Sequence, residues 1–315
     1  MNYIGETISL VVACSWTVTA LVSEIGTKRI GVLNFNVWRL AVALVFTLVF
    51  TFCLTGHFGA QYAGMQTWLW MGLSGFVGFF FGDFCLFKSY LYISSRYGQL
   101  FMTLAPAAAA VAAWIMLGQQ LTWGNIVAMA VTLTGIMLTV LQKDDSSQKR
   151  FALQSAFPLK GIFYGLGAGL GQGLGLVLSK IGMQHYEADI PADALDSMRF
   201  VIPFSANMIR CVVGCACFFL VVMIRRGGSE LAKAPLSRKT AMSILLAVLF
   251  GPFLGVGFSL MAVQFTKVGI AQTLMALTPI LIILPSYWLF KQPITIKGVL
   301  GAIISFVGVT MFFML

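Results

Sequence analysis

Most of this chain is built from continuous apolar stretches of about 20 residues, separated by short polar segments. About 20 apolar residues is the length a helix needs to cross the hydrocarbon core of a bilayer. In lipid, every backbone N–H and C=O must find a partner within the protein, so only helices and closed barrels can span. Barrel strands alternate apolar and polar positions over about ten residues, and the runs here are longer and do not alternate. Charge closes the soluble alternative: 10% of the 315 residues are charged, against about 25% in an average soluble domain. The mean hydropathy of +0.92 is the opposite of what disorder requires. The expected fold is an all-α polytopic membrane protein.

Ten candidate helices fall at about 4–24, 35–56, 66–87, 98–117, 122–141, 160–182, 199–223, 241–263, 269–290 and 295–315. The start, MNYIGETISL, has no basic segment or cleavage site, so the first stretch is expected to be retained as a spanning helix. The net charge of +10 does not point to nucleic acid, because the cations sit between apolar stretches and act as topology signals. Fifteen of the 20 Lys and Arg fall in or beside the loops after the odd-numbered helices. Lys180, Arg199 and Lys267 fall on the other side, and Arg39 and Arg210 lie within helices. This asymmetry predicts cytoplasmic odd-numbered loops and both termini outside. The loop after the sixth helix carries Glu187, Asp189, Asp193 and Asp196, and Pro191 should hold part of it extended.

The chain repeats itself weakly. At an offset of 173, Gly78 aligns with Gly251, Gly82 with Gly255, Gln99 with Gln272, Met102 with Met275 and Pro106 with Pro279. Gln119, Thr122 and Gly135 align with Gln292, Thr295 and Gly308 in the same frame. An offset of 156 aligns the segment Ser23 to Gly26 with Ser179 to Gly182. The expected organisation is residues 1–142 as one five-helix repeat, 143–158 as a cytoplasmic linker, and 159–315 as the second repeat. Five is odd, so the halves would enter the membrane in opposite directions. Inverted repeats of this kind are a common plan of secondary transporters.

Those residues carry a family resemblance. The arginines in NVWRLAVAL and ANMIRCVVG (Arg39 and Arg210) contribute to it, as do the two stretches beginning YGQLFMTLAPAAAA and VGIAQTLMALTPIL. The chain resembles the drug/metabolite transporter superfamily, specifically its EamA-type ten-helix members, over nearly its whole length. The resemblance implies ten helices in two inverted five-helix repeats, a bacterial inner-membrane location and transport of small metabolites, often with proton coupling. The family usually has a glutamate where this chain has Gln119 and Gln292, so no carboxylate role passes to those positions.

Asp83, in GFFFGDFCLFKSYLY, is the leading site candidate. A carboxylate near mid-membrane depth costs at least ~2.5 kcal/mol on insertion scales and faces a cavity or a partner. It is expected to recognise a substrate ammonium, to exchange a proton, or to form a structural ion pair. Lys88 is five residues on, about 140° around the helix, so Arg39 is the better partner. Arg39 and Arg210 are readable as anion ligands, as gates, or as side chains snorkelling to the headgroups. Lys180 and Lys267, near the outer helix ends, read as attractors of an anionic substrate or as snorkelling side chains. Pro106 and Pro279 are candidate hinges whose freed carbonyls could line a cavity. Gln99, Gln272, Trp16, Gln172 and Tyr90 are candidate substrate contacts, with Trp114, Tyr164, Tyr287 and Trp288 as further aromatic surface. The cavity is expected between the third, fourth, eighth and ninth helices, with the first and sixth moving against them.

No metal or other cofactor is expected. Cys211, Cys215 and Cys217 have no His or carboxylate nearby in sequence and read, like the other cysteines, as packing residues. The Gly-rich sixth helix lacks the Gly-Lys-Ser/Thr of a phosphate loop, and no hydrolase signature is present, so the chain reads as no enzyme. The expected activity is alternating-access export of a small metabolite, an amino acid or related compound. Proton-coupled uptake of a sugar or other polar nutrient is the second reading, and a channel or non-transporting membrane protein the third. The partners implied are the metabolite, a proton as candidate coupling ion and membrane lipid, with the protein a monomer or homodimer.

Overall fold

The computed structural model describes residues 3–140, 158–226, 237–282, 285 and 296–314. The side chains of 94, 96, 97, 139 and 140 lie outside that description. The linker 143–158 is outside it except for residue 158, and so are Tyr287, Trp288 and Gln292. The helices are α1 (Ile4–Ile30), α2 (Val32–Thr55), α3 (Met65–Ile93), α4 (Gly98–Leu117), α5 (Trp123–Val140) and α6 (Leu159–Asp189). After them come α7 (Ala192–Met198), α8 (Ile202–Arg226), α9 (Arg238–Phe265), α10 (Val268–Leu281) and α11 (Ile296–Met314). Among the described residues, eight of these helices are long and apolar enough to cross a membrane; α5 and α10 are shorter apolar helices. The protein is a multi-pass all-α membrane protein.

Several boundaries differ from the sequence reading. α1 runs on to Ile30 and takes Lys28 and Arg29 into its last turn, where cations favour the negative end of the helix dipole. α6 extends to Asp189, so Glu187 and Asp189 leave the expected acidic loop. Only Ile190 and Pro191 are extended there, and Asp193 and Asp196 sit in α7. The extension has a physical cause. The first turn of α3 has unpaired N–H groups and a glycine at its N-cap. Asp189 Oδ2 caps it from another helix, accepting from Gly64 N at 2.8 Å and Thr67 Oγ1 at 2.9 Å. Tyr186, one turn back, donates to Gln61 O at 2.7 Å. Replacing Asp189 with Ala is expected to cost about 0.5–2 kcal/mol, the usual worth of a cap, read as a drop in thermal midpoint in detergent.

α3 and α4 meet closely at their junction. A Cβ at Gly98 would lie 2.6 Å from Ser89 Oγ and 2.7 Å from a Tyr90 ring carbon, so a larger residue there would require those side chains to shift. Glu24 holds the junction from α1: its Oε2 accepts from Ser95 N at 3.0 Å, while Oε1 binds Lys28 Nζ at 2.6 Å.

α6 is wedged between α3 and α4 by two stripes of small residues. Gly171, Gly175 and Ser179 face Ser74, Gly78 and Gly82 of α3: a Cβ at Gly171 would lie 2.8 Å from Gly82 Cα, and one at Gly175 2.9 Å from Gly78 Cα. Ser74 Oγ donates to Gly175 O at 2.6 Å and lies 2.6 Å from Ser179 Oγ. Gly165, Gly169 and Gly173 face Phe101, Leu104, Ala105 and Ala108 of α4. Lipid gives no hydrophobic drive for helix association, so small residues that permit close van der Waals contact supply it.

α3 and α9 share an interruption. Gly75–Gly82 in α3 and Leu249–Phe253 in α9 are π-helical, and the aligned Gly78 and Gly251 lie one in each. In α9 the cause is Pro252, which has no N–H to give to the helical ladder. α5 and α11 pack reciprocally. A side chain at Gly135 would strike Ser305, and one at Gly308 would strike Thr132. Thr132 and Ser305 are themselves 173 apart, and Ser305 Oγ donates to Thr132 O at 3.0 Å. The contact of Gly135 with Ser305 is thus repeated by that of their aligned counterparts, Gly308 and Thr132, as at a two-fold axis.

Candidate functional site

The π-helical segments frame a small cavity. The space open to the centres of water molecules is about 60 Å³, enough for roughly four to six waters at ~10–15 Å³ each. Trp16, Thr19 and Ala20 line it from α1, Arg39 from α2, and Phe79, Asp83, Leu86, Phe87 and Tyr90 from α3. Gln99 and Met102 come from α4, Gln172 from α6, and Gly251 and Val256 from α9. The expected frame is therefore corrected. The first and sixth helices line the cavity directly, because the glycine stripes bring α6 against α3. α10 supplies none of its described lining.

At its centre is a buried ion pair. Asp83 Oδ2 accepts from Arg39 Nη2, with the side chains 8% and 4% exposed. Asp83 Oδ1 accepts from Gln172 Nε2 at 2.7 Å, and Gly78 O lies 3.3 Å from the same amide nitrogen. The Arg39 guanidinium sits 4.9 Å from the Phe87 ring centre. The position of Asp83 at the end of the π segment turns it toward Gln172. Of its two weighed partners, Arg39 binds it, and Lys88 is half-buried outside the pair. Tyr90 OH accepts from Gln99 Nε2 at 2.7 Å, joining α3 and α4 beneath the cavity.

Arg210 is equally buried, at 3% exposure. Its guanidinium stacks 4.5 Å from the centre of the Phe79 ring and borders Gly78. Arg39 in turn borders Gly251. Each arginine therefore rests beside the π-segment glycine of the other half. This overturns the snorkelling reading for both, because neither side chain reaches the headgroups. Phe79, the ring that Arg210 stacks on, was not among the candidates read from sequence. The mid-helix position of Phe79, one turn before Asp83, was the available signal.

Other candidates fall elsewhere. Gln272 is buried at 2% exposure in α10, and it does not line the cavity. Gln119 Oε1 accepts from Val268 N at 3.1 Å, capping α10, and the adjacent Lys267 Nζ donates to Gln120 O at 2.7 Å. Lys180 is half-buried and does not line the cavity. The prolines follow breaks at residues 102–103 and 276–277. The carbonyls expected to be free are taken: Met102 O accepts from Ala105 N at 3.0 Å, and Met275 O from Thr278 Oγ1 at 3.0 Å. Trp114 is 59% exposed, and Tyr164 stacks on Tyr92. Cys211 is buried, and Cys14 and Cys53 are exposed rather than packed inside. Among the described residues no group of His, Cys, Asp or Glu could hold a metal ion.

What this arrangement can do is bind a small ligand next to charge, out of water. Among the described lining residues the polar groups are one arginine, one carboxylate, two amides, a phenol, an indole and the Thr19 hydroxyl, with Arg210 behind Phe79, and they include no nucleophile–base pair.

Comparison with known proteins agrees with the architecture. A solved crystal structure, 12% identical, superposes with a TM-score of 0.70 over 98% of this chain and 96% of its own. Among curated proteins, an uncharacterized transporter of Bacillus subtilis (strain 168), YoaV, is 25% identical over 134 residues. The match covers 42% of this chain and 46% of that relative, less than half its length. The profile of the EamA-like transporter family matches residues 3–141 and again 159–314. Two matches covering nearly all of a chain of buried, apolar helices place it without ambiguity: the protein belongs to the EamA-like transporter family.

Proposed function

We propose that the protein is a secondary active transporter that exports a small metabolite across the bacterial inner membrane by alternating access. The observation that carries this reading is the small cavity at the Arg39–Asp83 pair, framed by two aligned π-interrupted helices. An ionisable residue held inside the membrane against a cavity marks a substrate or ion path, and π segments concentrate at functional sites. Two inverted five-helix halves, 1–142 and 159–315, fit the reciprocal packing of α5 on α11. Arg39, Asp83, Gln172, Gln99, Tyr90 and Trp16 form the binding site in this reading. Arg210 stands behind it. The breaks before Pro106 and Pro279 serve as hinges. A proton is the candidate coupling ion in this reading.

The test is solute flux into liposomes holding purified protein, with and without an imposed pH gradient. Flux that follows the gradient supports the reading, and flux equal to empty liposomes from folded protein rejects it. The sign of the gradient that drives accumulation distinguishes export from uptake. Orientation is tested separately. A cysteine placed between Asp144 and Lys149 is expected to be shielded from impermeant thiol reagents in intact cells, and ready labelling would reverse the topology.

A further inference from the structure

The buried charge at and behind the cavity is net positive: Arg39 and Asp83 line it, and Arg210 stands behind Phe79. Three ionisable side chains around it are at least nine-tenths buried: Arg39, Arg210 and Asp83. Asp83 is taken twice over, by Arg39 on one oxygen and Gln172 on the other. The described ion pairs are Lys28–Glu24 and Arg39–Asp83, so Arg210 has no carboxylate partner among the described residues. The Nε atoms of both arginines are buried without a hydrogen-bond partner. Phe79 gives Arg210 a π face but no countercharge. Lys88 and Lys180 are only half-buried and do not line the cavity. Position 256, the aligned counterpart of Asp83, is a cavity-lining valine, so the second half supplies an arginine and no acid. A buried charge without a partner is costly. The site is completed by a ligand that brings one negative charge.

Resting on the transport reading above, we infer that the cavity selects small monoanions, in particular short aliphatic monocarboxylates, over zwitterionic amino acids and over amines. The carboxylate sits beside Arg39, and Arg210 acts through its field from behind Phe79, as a positioning residue rather than a direct ligand. The apolar body lies against Phe79, Phe87 and Val256. A zwitterion would leave the surplus charge in place. An amine would add to it and find Asp83 already occupied.

The experiment compares three probes that share a carbon skeleton: butyrate, 2-aminobutyrate and propylamine. Binding is measured on purified protein by thermal shift and by competition in liposome flux. Butyrate is expected to bind about tenfold or more tighter than either other probe, the scale of one charge-assisted contact. Val256→Asp adds the missing acid, and Arg210→Gln removes the surplus cation. Each is expected to abolish the preference for butyrate over 2-aminobutyrate, and Arg210→Lys, which keeps the charge, is expected to retain it. A merely structural arginine would not move this ratio. Should Arg210→Gln fail to fold, the wild-type ranking and Val256→Asp still decide. Wild-type preference for 2-aminobutyrate or propylamine overturns the monoanion assignment and leaves transport standing. So does an unchanged ratio in folded Val256→Asp. Binding of none of the three by folded protein overturns the assignment, and absence of any gradient-driven flux then rejects the transport reading as well.

Discussion

Replacing Asp83 with Val, the residue at the aligned position of the second half, is expected to destabilise the protein by about 3–5 kcal/mol. That is the cost of removing one partner from a buried ion pair and leaving the other charge uncompensated. Arg39 would remain at 3% exposure with its guanidinium against Phe87 and no anion to meet. Gln172 would lose its 2.7 Å acceptor and be left with Gly78 O. The same substitution should abolish gradient-driven transport. A double-mutant cycle separates the pair from its surroundings. Arg39→Met alone strands Asp83 and should cost a similar amount, whereas Asp83→Val with Arg39→Met removes both charges together. The double variant is expected to be more stable than the sum of the single losses implies. Strict additivity of the two single effects, measured by denaturation in detergent, would show that the two groups are not coupled and would remove the ion pair from the account of the site.

The second large effect lies at the α3–α6 contact. Gly171→Val and Gly175→Val each place a Cβ within 3 Å of a backbone Cα on α3. A side-chain neighbour could rotate away, but a backbone neighbour cannot. Overpacking of a rigid contact costs about 1–3 kcal/mol and sometimes more, and here the relief is to push α6 away from α3. That movement would withdraw Gln172 from Asp83 and widen the cavity. Loss of transport together with a lower thermal midpoint is expected for both variants. Gly167 is a useful contrast. Its Cβ would meet Cys85 Sγ at 3.0 Å and a Phe81 ring atom at 3.4 Å, both ends of side chains. Gly167→Ala should therefore be tolerated, with transport retained. Equal loss at Gly167 and Gly175 would mean that the whole helix, not the α3 contact, is sensitive.

The class of the protein follows from the sequence alone. Apolar runs of bilayer length with a tenth of the residues charged leave only a membrane-spanning helical chain. In such a chain the few internal charges are conspicuous, so Asp83, Arg39 and Arg210 could be read directly as candidates. The demotion of Lys88 as partner also followed from helix geometry, because it needed only the angle between positions on one helix, whereas Arg39 was preferred on the repeat alone. Helix ends were less legible. Asp189 was read as a loop residue because nothing local to it shows the bare N-terminus of α3 that it caps.

Distances between helices were left to the tertiary structure. The sequence could show that the sixth helix is rich in glycine, but not that one stripe faces α3 and the other α4. That choice draws Gln172 onto Asp83 and makes the first and sixth helices walls of the cavity. Nor could it show that Arg39 and Arg210 turn inward. A long side chain near a helix end can reach either lipid headgroups or the interior, and the decision rests on neighbours such as Phe87, Phe79, Gly78 and Gly251, which come from other helices. The π segments belong to the same category. Pro252 hints at one of them, but the ladder of Gly75–Gly82 widens without any proline. Local chemistry therefore determined what kind of chain this is and which charges matter. Close packing of small residues between helices decided where those charges meet, because contact across a membrane interior depends on shapes that no single segment contains.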